Sequence, residues 1–201
     1  MSPRLGRVRW TFSILLGICT AFSSAARATA IYAGQASGSA SEGPGQTVPL
    51  QGNVHIQSPG SPHIPYNSDP PTSGPHVPFI VRWGIHTVPI PREIQVHNLE
   101  DGGVIIQYHC EKNCGELVAR LESIVQQYQK RAEIERSKTS AQQPSRYEHL
   151  ILAPSNPGMD STIALTAWGK IDKFNQFDEE RITKFIEAYI GIDHHPAKEE
   201  Q

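Results

Sequence analysis

Cysteine is scarce in this chain. Three among 201 residues exclude a small scaffold held together by many disulfides. An excess of charge of either sign is missing as well. The formal net charge is −2 and charged residues make up 19%, which leaves no electrostatic footprint for nucleic acid. No apolar run reaches the ~18 residues expected of a membrane span, so a membrane transporter is excluded. A sustained heptad pattern and internal repeats are both absent, which removes coiled coils and repeat arrays. The length suits one domain of ordinary size and is too short for two plus a linker.

Glycine and proline are present at sixteen each. Together they exceed average usage but stay below the ~25–30% that marks low complexity throughout, so their excess is local.

The first thirty residues read as a signal peptide. Arg4, Arg7 and Arg9 form a basic start, and the stretch from Trp10 to Phe22 is mostly apolar and uncharged. Ala28-Thr29-Ala30 supplies a small-x-small cleavage pattern, so cleavage is expected near Ala30. An uncleaved anchor is the alternative. The expected destination is the periplasm or the extracellular space, with no membrane span left after cleavage. Loss of Arg4, Arg7, Arg9 and Arg27 takes the net charge to about −6. Cys19 is lost with them, and Cys110 and Cys114 remain.

Residues 31–63 read as a flexible linker rich in Ala, Gly, Ser and Pro. From 64 to 101 the chain stays turn-rich but carries His and aromatic residues. The run Pro65 to His76 is too proline-laden for a helix, and Tyr66, Phe79, Trp83 and Ile85 offer anchors. An ordered coat wrapped on a core is expected there.

Regular structure starts after the turn Asp101-Gly102-Gly103. Val104 to Tyr108 reads as a buried strand. Leu117, Val118, Leu121, Ile124, Val125 and Tyr128 predict a helix over 114–134. His149 to Ala153 and Thr162 to Trp168 read as two more strands, joined as a hairpin. Ile182, Phe185, Ile186, Tyr189 and Ile190 mark an amphipathic helix. The expected fold class is α/β, a single small layered domain over 64–192. It has a β-α-β-β-α core, a Pro/Gly-rich N-terminal wrap, and a charged tail at 193–201. That order resembles the core of thioredoxin-like folds.

Cys110 and Cys114 stand where the first strand gives way to the long helix. Backbone N–H groups and the helix dipole stabilise a thiolate at such a junction, and thiolate binds soft metals. The same spacing permits a disulfide. Redox motifs of the thioredoxin type have two intervening residues rather than three. Four of the nine histidines, His76, His86, His97 and His109, fall within 34 residues, all upstream of or beside the cysteines. Neutral imidazole accepts first-row metals, and Asp101 adds an oxygen donor. The candidate metal ligands are therefore Cys110, Cys114, His97, His76, His109 and Asp101, with copper first among the metals. His149 reads as structural, His55 and His63 fall in the linker, and the doublet His194-His195 reads as incidental.

Tyr108 to Leu117 resembles the copper-binding loop of Sco-type copper chaperones. These are thioredoxin-like, exported or membrane-tethered, and bind copper through Cys-x3-Cys and a distal His. Gly115 stands here where a Pro is common, and no His occurs at 154–161. A wider resemblance rests on Tyr66 to His76, Trp83-Gly84-Ile85-His86, Val96 to Tyr108, Ala164 to Gly169 and Phe177 to Ile182. These blocks resemble the bacterial family of domain of unknown function 3105, which implies an exported protein of unassigned role. That family carries His-Asn-Leu-Glu-His-Gly where this chain has Asp101, so a metal site there would be altered.

Two readings follow. One is a metal-binding exported protein with a metal-handling or redox protein as partner. The other is a structural or partner-binding module with a Cys110–Cys114 disulfide. His97, Glu100 and Asp101 could serve acid/base chemistry, but Ser68, Thr72 and Ser73 sit in no nucleophile-elbow pattern, so a non-catalytic role is expected.

Overall fold

The buried strand expected after the glycine turn is the axis of the molecule. In the computed structural model, which describes residues 43–138 and 144–195, the elements run in chain order as follows. First come β1 (Gln46–Thr47), β2 (Gly84–Ile85), α1 (Arg92–Glu100) and β3 (Val104–Tyr108). Then follow α2 (Gly115–Lys138), β4 (Leu150–Pro154), β5 (Ile163–Ala167), β6 (Lys170–Phe174) and α3 (Glu179–Tyr189). The six strands form one sheet in the order β1-β6-β5-β3-β4-β2. β3 and β4 are parallel, with Val104 opposite Leu150 and Tyr108 opposite Pro154, and α2 is the crossover between them. The expected signal peptide lies outside the described residues.

Both faces of the sheet are covered, so β3 and β4 are apolar at consecutive positions rather than alternate ones. Val104, Ile106, Leu150 and Leu152 face one core. Leu121, Ile124, Val125 and Tyr128 of α2 and Ile182, Phe185 and Ile186 of α3 close it. Ile105, Ile151 and Ala153 point the other way, against Ile94 and Leu99 of α1 and Val77 of the wrap. The result is a three-layer single α/β domain. Asp178 caps α3 by accepting a hydrogen bond from the Arg181 amide at 3.0 Å, an interaction worth about 1 kcal/mol. Among the described residues no helix is long and apolar enough to cross a membrane.

Three sequence expectations need correction. The second and third expected strands do not form a hairpin: β5 pairs antiparallel with β3, on the side away from β4. The hairpin is β5–β6, turned at Trp168-Gly169, where Gly169 takes φ +67°. Helix α1 falls inside the segment expected as irregular coat. Its polar residues Gln95, Asn98 and Glu100 are buried along with its apolar ones, so it shows no clean apolar stripe. Finally, from Gly43 onward the expected linker lies against the domain. The Val48 amide donates to Gly169 O at 2.9 Å, the Gly74 amide to Gly52 O at 3.0 Å and the His76 amide to Val54 O at 3.0 Å. These bonds satisfy a proline-broken backbone that no sheet ladder could serve. The coat itself is ordered as expected, with Thr72, Ser73, His76 and Val77 fully buried.

Candidate functional site: a histidine–carboxylate cluster

The site is assembled where α1 ends and β3 begins. Asn98 ties the wrap to α1: its side-chain oxygen accepts from the Val81 amide at 3.1 Å and its amide nitrogen donates to Val81 O at 3.0 Å. The helix is stopped by the glycine turn. The Gly102 amide donates to Leu99 O at 3.1 Å and the Gly103 amide to Asn98 O at 2.8 Å. Gly102 takes φ +82°, and a Cβ there would lie 2.8 Å from the Ile192 amide nitrogen. That space lets the C-terminal arm approach. The Gly191 amide donates to Gly102 O at 2.7 Å and the His194 amide to Glu100 O at 2.9 Å.

Four segments distant in sequence thereby bring their side chains together. His76, from the wrap, is fully buried, and its Nδ1 donates to Gly74 O at 2.7 Å. Its Nε2 meets Glu100 Oε2 at 2.9 Å, with the two side chains 0% and 1% exposed. Since a carbonyl only accepts, Nδ1 carries a proton, and the second proton is shared between Nε2 and the Glu100 carboxyl. His55 pairs with His76 as an isolated parallel bridge, its ring centred 4.9 Å from that of His76 and 5.4 Å from that of His97. The His76 and His97 rings are 5.1 Å apart. On the far side of His97, His195 Nε2 lies 3.4 Å from Glu100 Oε2 and 3.6 Å from Asp101 Oδ1. His97 Nε2 lies 3.8 Å from Asp101 Oδ1, too long for a hydrogen bond.

Two polar atoms of this cluster, Glu100 Oε1 and His97 Nδ1, are buried without a hydrogen-bond partner. Native proteins pair nearly all such atoms, so two in one cluster point to a partner that the protein alone does not supply. Burial pushes the His97 imidazole below its ordinary pKa, despite Asp101 nearby, and keeps it in the neutral form that ligates metal. His195 is affected in the opposite sense. Burial opposes its charge, but the hydrogen bond its Nδ1 donates to Asp193 and the fields of Glu100, Asp193 and Asp101 outweigh this and raise its pKa. One donor atom from each of His55, His76, His97 and Glu100 falls within 4.8 Å of every other, and the same holds for His97, Asp101 and His195. Metal–ligand distances of ~2.0–2.2 Å require ligand-to-ligand edges of about 3.0–3.6 Å, so small rotamer changes would close either set around an ion.

Of the residues singled out from sequence, His76, His97 and Asp101 meet in this cluster, whereas Cys110, Cys114 and His109 do not join it. They follow the other end of β3, five residues along at ~3.3 Å each. There Cys110 and Cys114 form a disulfide with Cα atoms 6.0 Å apart, closing a loop in which Asn113 adopts φ 58°. His109 is exposed, and its backbone amide donates to Thr162 O at 2.9 Å. His86 Nε2 donates to the Arg82 carbonyl, 2.7 Å away. His149 stacks on Trp83 with ring centres 4.8 Å apart, and burial lowers its pKa. Two of the three hydroxyls weighed for catalysis serve the wrap: Ser73 accepts from the Gln51 amide at 3.0 Å and Ser68 donates to Pro70 O at 2.9 Å, while Thr72 Oγ1 is buried without a hydrogen-bond partner.

Sequence reasoning passed over His55, Glu100 as a ligand, and His195. His55 sits in a composition that reads as linker, and nothing local distinguishes it. A fainter signal marks His195: a His doublet just after Gly191, the residue that turns the chain back out of α3. Comparison with curated proteins and with solved structures returns no match. A family pattern does match, over residues 57–201 and so over most of the chain, including every cluster residue except His55. The chain belongs to the family described as protein of unknown function DUF3105.

Proposed function

We propose that the protein is an exported binder of a divalent transition metal, held by His55, His76, His97 and Glu100. The observation that carries this reading is the convergence of four donors with two buried, unpartnered ligand atoms among them. Three imidazoles and one carboxylate suit copper(II) and zinc(II), with copper first in the general order of affinities. Copper(I) is disfavoured, because the thiols it prefers are joined in the disulfide at the other end of β3. That disulfide also suits an oxidising compartment, in keeping with the basic-apolar-small pattern of residues 1–30. A metal arriving at His76 Nε2 displaces the proton that lies between it and Glu100 Oε2.

A second reading has one observation in its favour. Both nitrogens of His76 are already hydrogen-bonded, so the His76–Glu100 pair could be a purely structural tie between wrap and α1. Calorimetric titration of the purified chain with copper(II) and zinc(II) separates the two. Metal binding requires a saturable, submicromolar event that His97→Ala weakens at least tenfold and the Cys110→Ser/Cys114→Ser double variant leaves intact. Absence of any saturable binding supports the structural tie.

A further inference from the structure

We infer that the cluster holds a second, weaker cation position, built by His97, Asp101 and His195 beside the one assigned above; this inference rests on that assignment. The three donor atoms lie within 4.8 Å of one another, the same bound that the first set meets. His195 is not a loose tail residue. Its arm is pinned by the bonds from the Gly191 amide to Gly102 O and from the His194 amide to Glu100 O, and the His194 ring stacks on Trp168 with centres 6.0 Å apart.

Charge balance favours a second cation. An ion at the first position meets one carboxylate, Glu100, among neutral imidazoles, and keeps a net positive charge. Asp101 and Asp193 remain as a carboxylate surplus, and both face His195: Asp101 Oδ1 at 3.6 Å and Asp193 Oδ1 at 2.8 Å from its ring nitrogens. His97 belongs to both sets, and a ring that ligates one ion through Nδ1 and another through Nε2 gives up its remaining N–H proton to solvent. Its Nε2 faces Asp101 at 3.8 Å while its Nδ1 is buried and unpartnered. The second position is the more open one: its His195 side chain is 41% exposed and that of Asp101 28%, whereas in the first set His55 alone is exposed and His76 and Glu100 are 0% and 1%. Exposed donors are screened and mobile, so the second ion is the weaker and the faster to exchange. That arrangement suits a protein that takes up or hands over metal through its C-terminal arm.

The test is titration of the full chain with zinc(II), followed by native mass spectrometry. The wild type should take two equivalents, the second at least tenfold weaker. His195→Ala and Asp101→Asn, both at accessible positions, should each retain the first equivalent with unchanged affinity and lose the second. Saturation at one equivalent in the wild type overturns the second position. So does a His195→Ala variant that still takes two, or one that binds a single equivalent more weakly, which would make His195 a ligand of one common site. No uptake of any equivalent removes both this position and the first assignment, a result distinct from loss of the second alone.

Discussion

The two ends of β3 carry the two chemistries that drew notice in the sequence, and they are built differently. At the N-terminal end, helix α1, the wrap, the strap around His55 and the C-terminal arm converge. They leave Glu100 Oε1 and His97 Nδ1 buried and unpaired. At the C-terminal end, Cys110 and Cys114 sit half-buried in a short surface loop and satisfy each other. The difference teaches that closeness in sequence is a poor guide to a shared site when the intervening residues form a strand. Five extended residues carry His109 and the cysteines ~16 Å from the glycine turn. Residues 55 and 195, far apart along the chain, stand within ring contact of His97.

The contrast can be broken or sharpened by substitution. The largest effect is expected from His76→Ala, which strips the buried Glu100 carboxyl of its 2.9 Å hydrogen bond and leaves it only the partly exposed His195 Nε2 at 3.4 Å. A loss of about 3–5 kcal/mol in chemical denaturation is expected if the pair is ionised, and about 1–3 kcal/mol if it is neutral. Next comes metal-linked stability. Zinc(II) at about one hundred times the wild-type dissociation constant should add ~2.7 kcal/mol to the wild type and to Cys110→Ser/Cys114→Ser, and no more than ~1.4 kcal/mol to His97→Ala, the gain left by a tenfold weaker site. Equal gains in all three would move the site away from the cluster. The cysteine end is expected to matter less for stability. Opening so short a loop costs ~2 kcal/mol on the chain-entropy account, measured as the oxidised-minus-reduced difference in denaturation.

A smaller effect tests the arm. Gly102→Ala puts a Cβ where φ is +82° and against the Gly191–Ile192 backbone, so it should cost about 1–2 kcal/mol and speed amide exchange at Gly191 and His194. Unchanged exchange there would mean the arm does not depend on the turn.

The smallest effect lies away from both ends and serves as a reference. Burial pushes the Glu187 carboxyl up. Hydrogen bonds from Tyr128 and Arg131 and the charge of Arg146 outweigh that and hold it below the ordinary range. A carboxyl depressed in the folded state stabilises the fold above its unfolded pKa, and that contribution fades as pH falls through the folded pKa. Glu187→Gln should therefore lose stability at neutral pH and show a shallower decline in acid than the wild type. An identical acid profile would remove Glu187 from the account.

Much of the fold was legible because its reasons are local. Val104 to Ile106 and Leu150 to Ala153 are unbroken apolar runs of the kind a doubly covered sheet demands. Ile182, Phe185 and Ile186 repeat at helical spacing above a capping Asp178. Helix α1 was not legible: Gln95, Asn98 and Glu100 are buried for tertiary reasons, and Pro89 and Pro91 precede it. Strand β6, Lys170 to Phe174, is short and charged, and only its place beyond β5 makes it a strand. Of the site, His76, His97 and Asp101 were visible as residue types near a turn. His55 and His195 were not, since their role depends on how the ends of the domain fold back, which no local pattern encodes.

The central claim is that metal chemistry belongs to the imidazole–carboxylate end of β3. X-ray absorption at the zinc edge of the chain loaded with one equivalent tests it most directly. The account predicts a first shell of nitrogen and oxygen alone at about 2.0–2.1 Å, with the outer-shell scattering of several imidazoles; a sulfur neighbour at about 2.3 Å would contradict it.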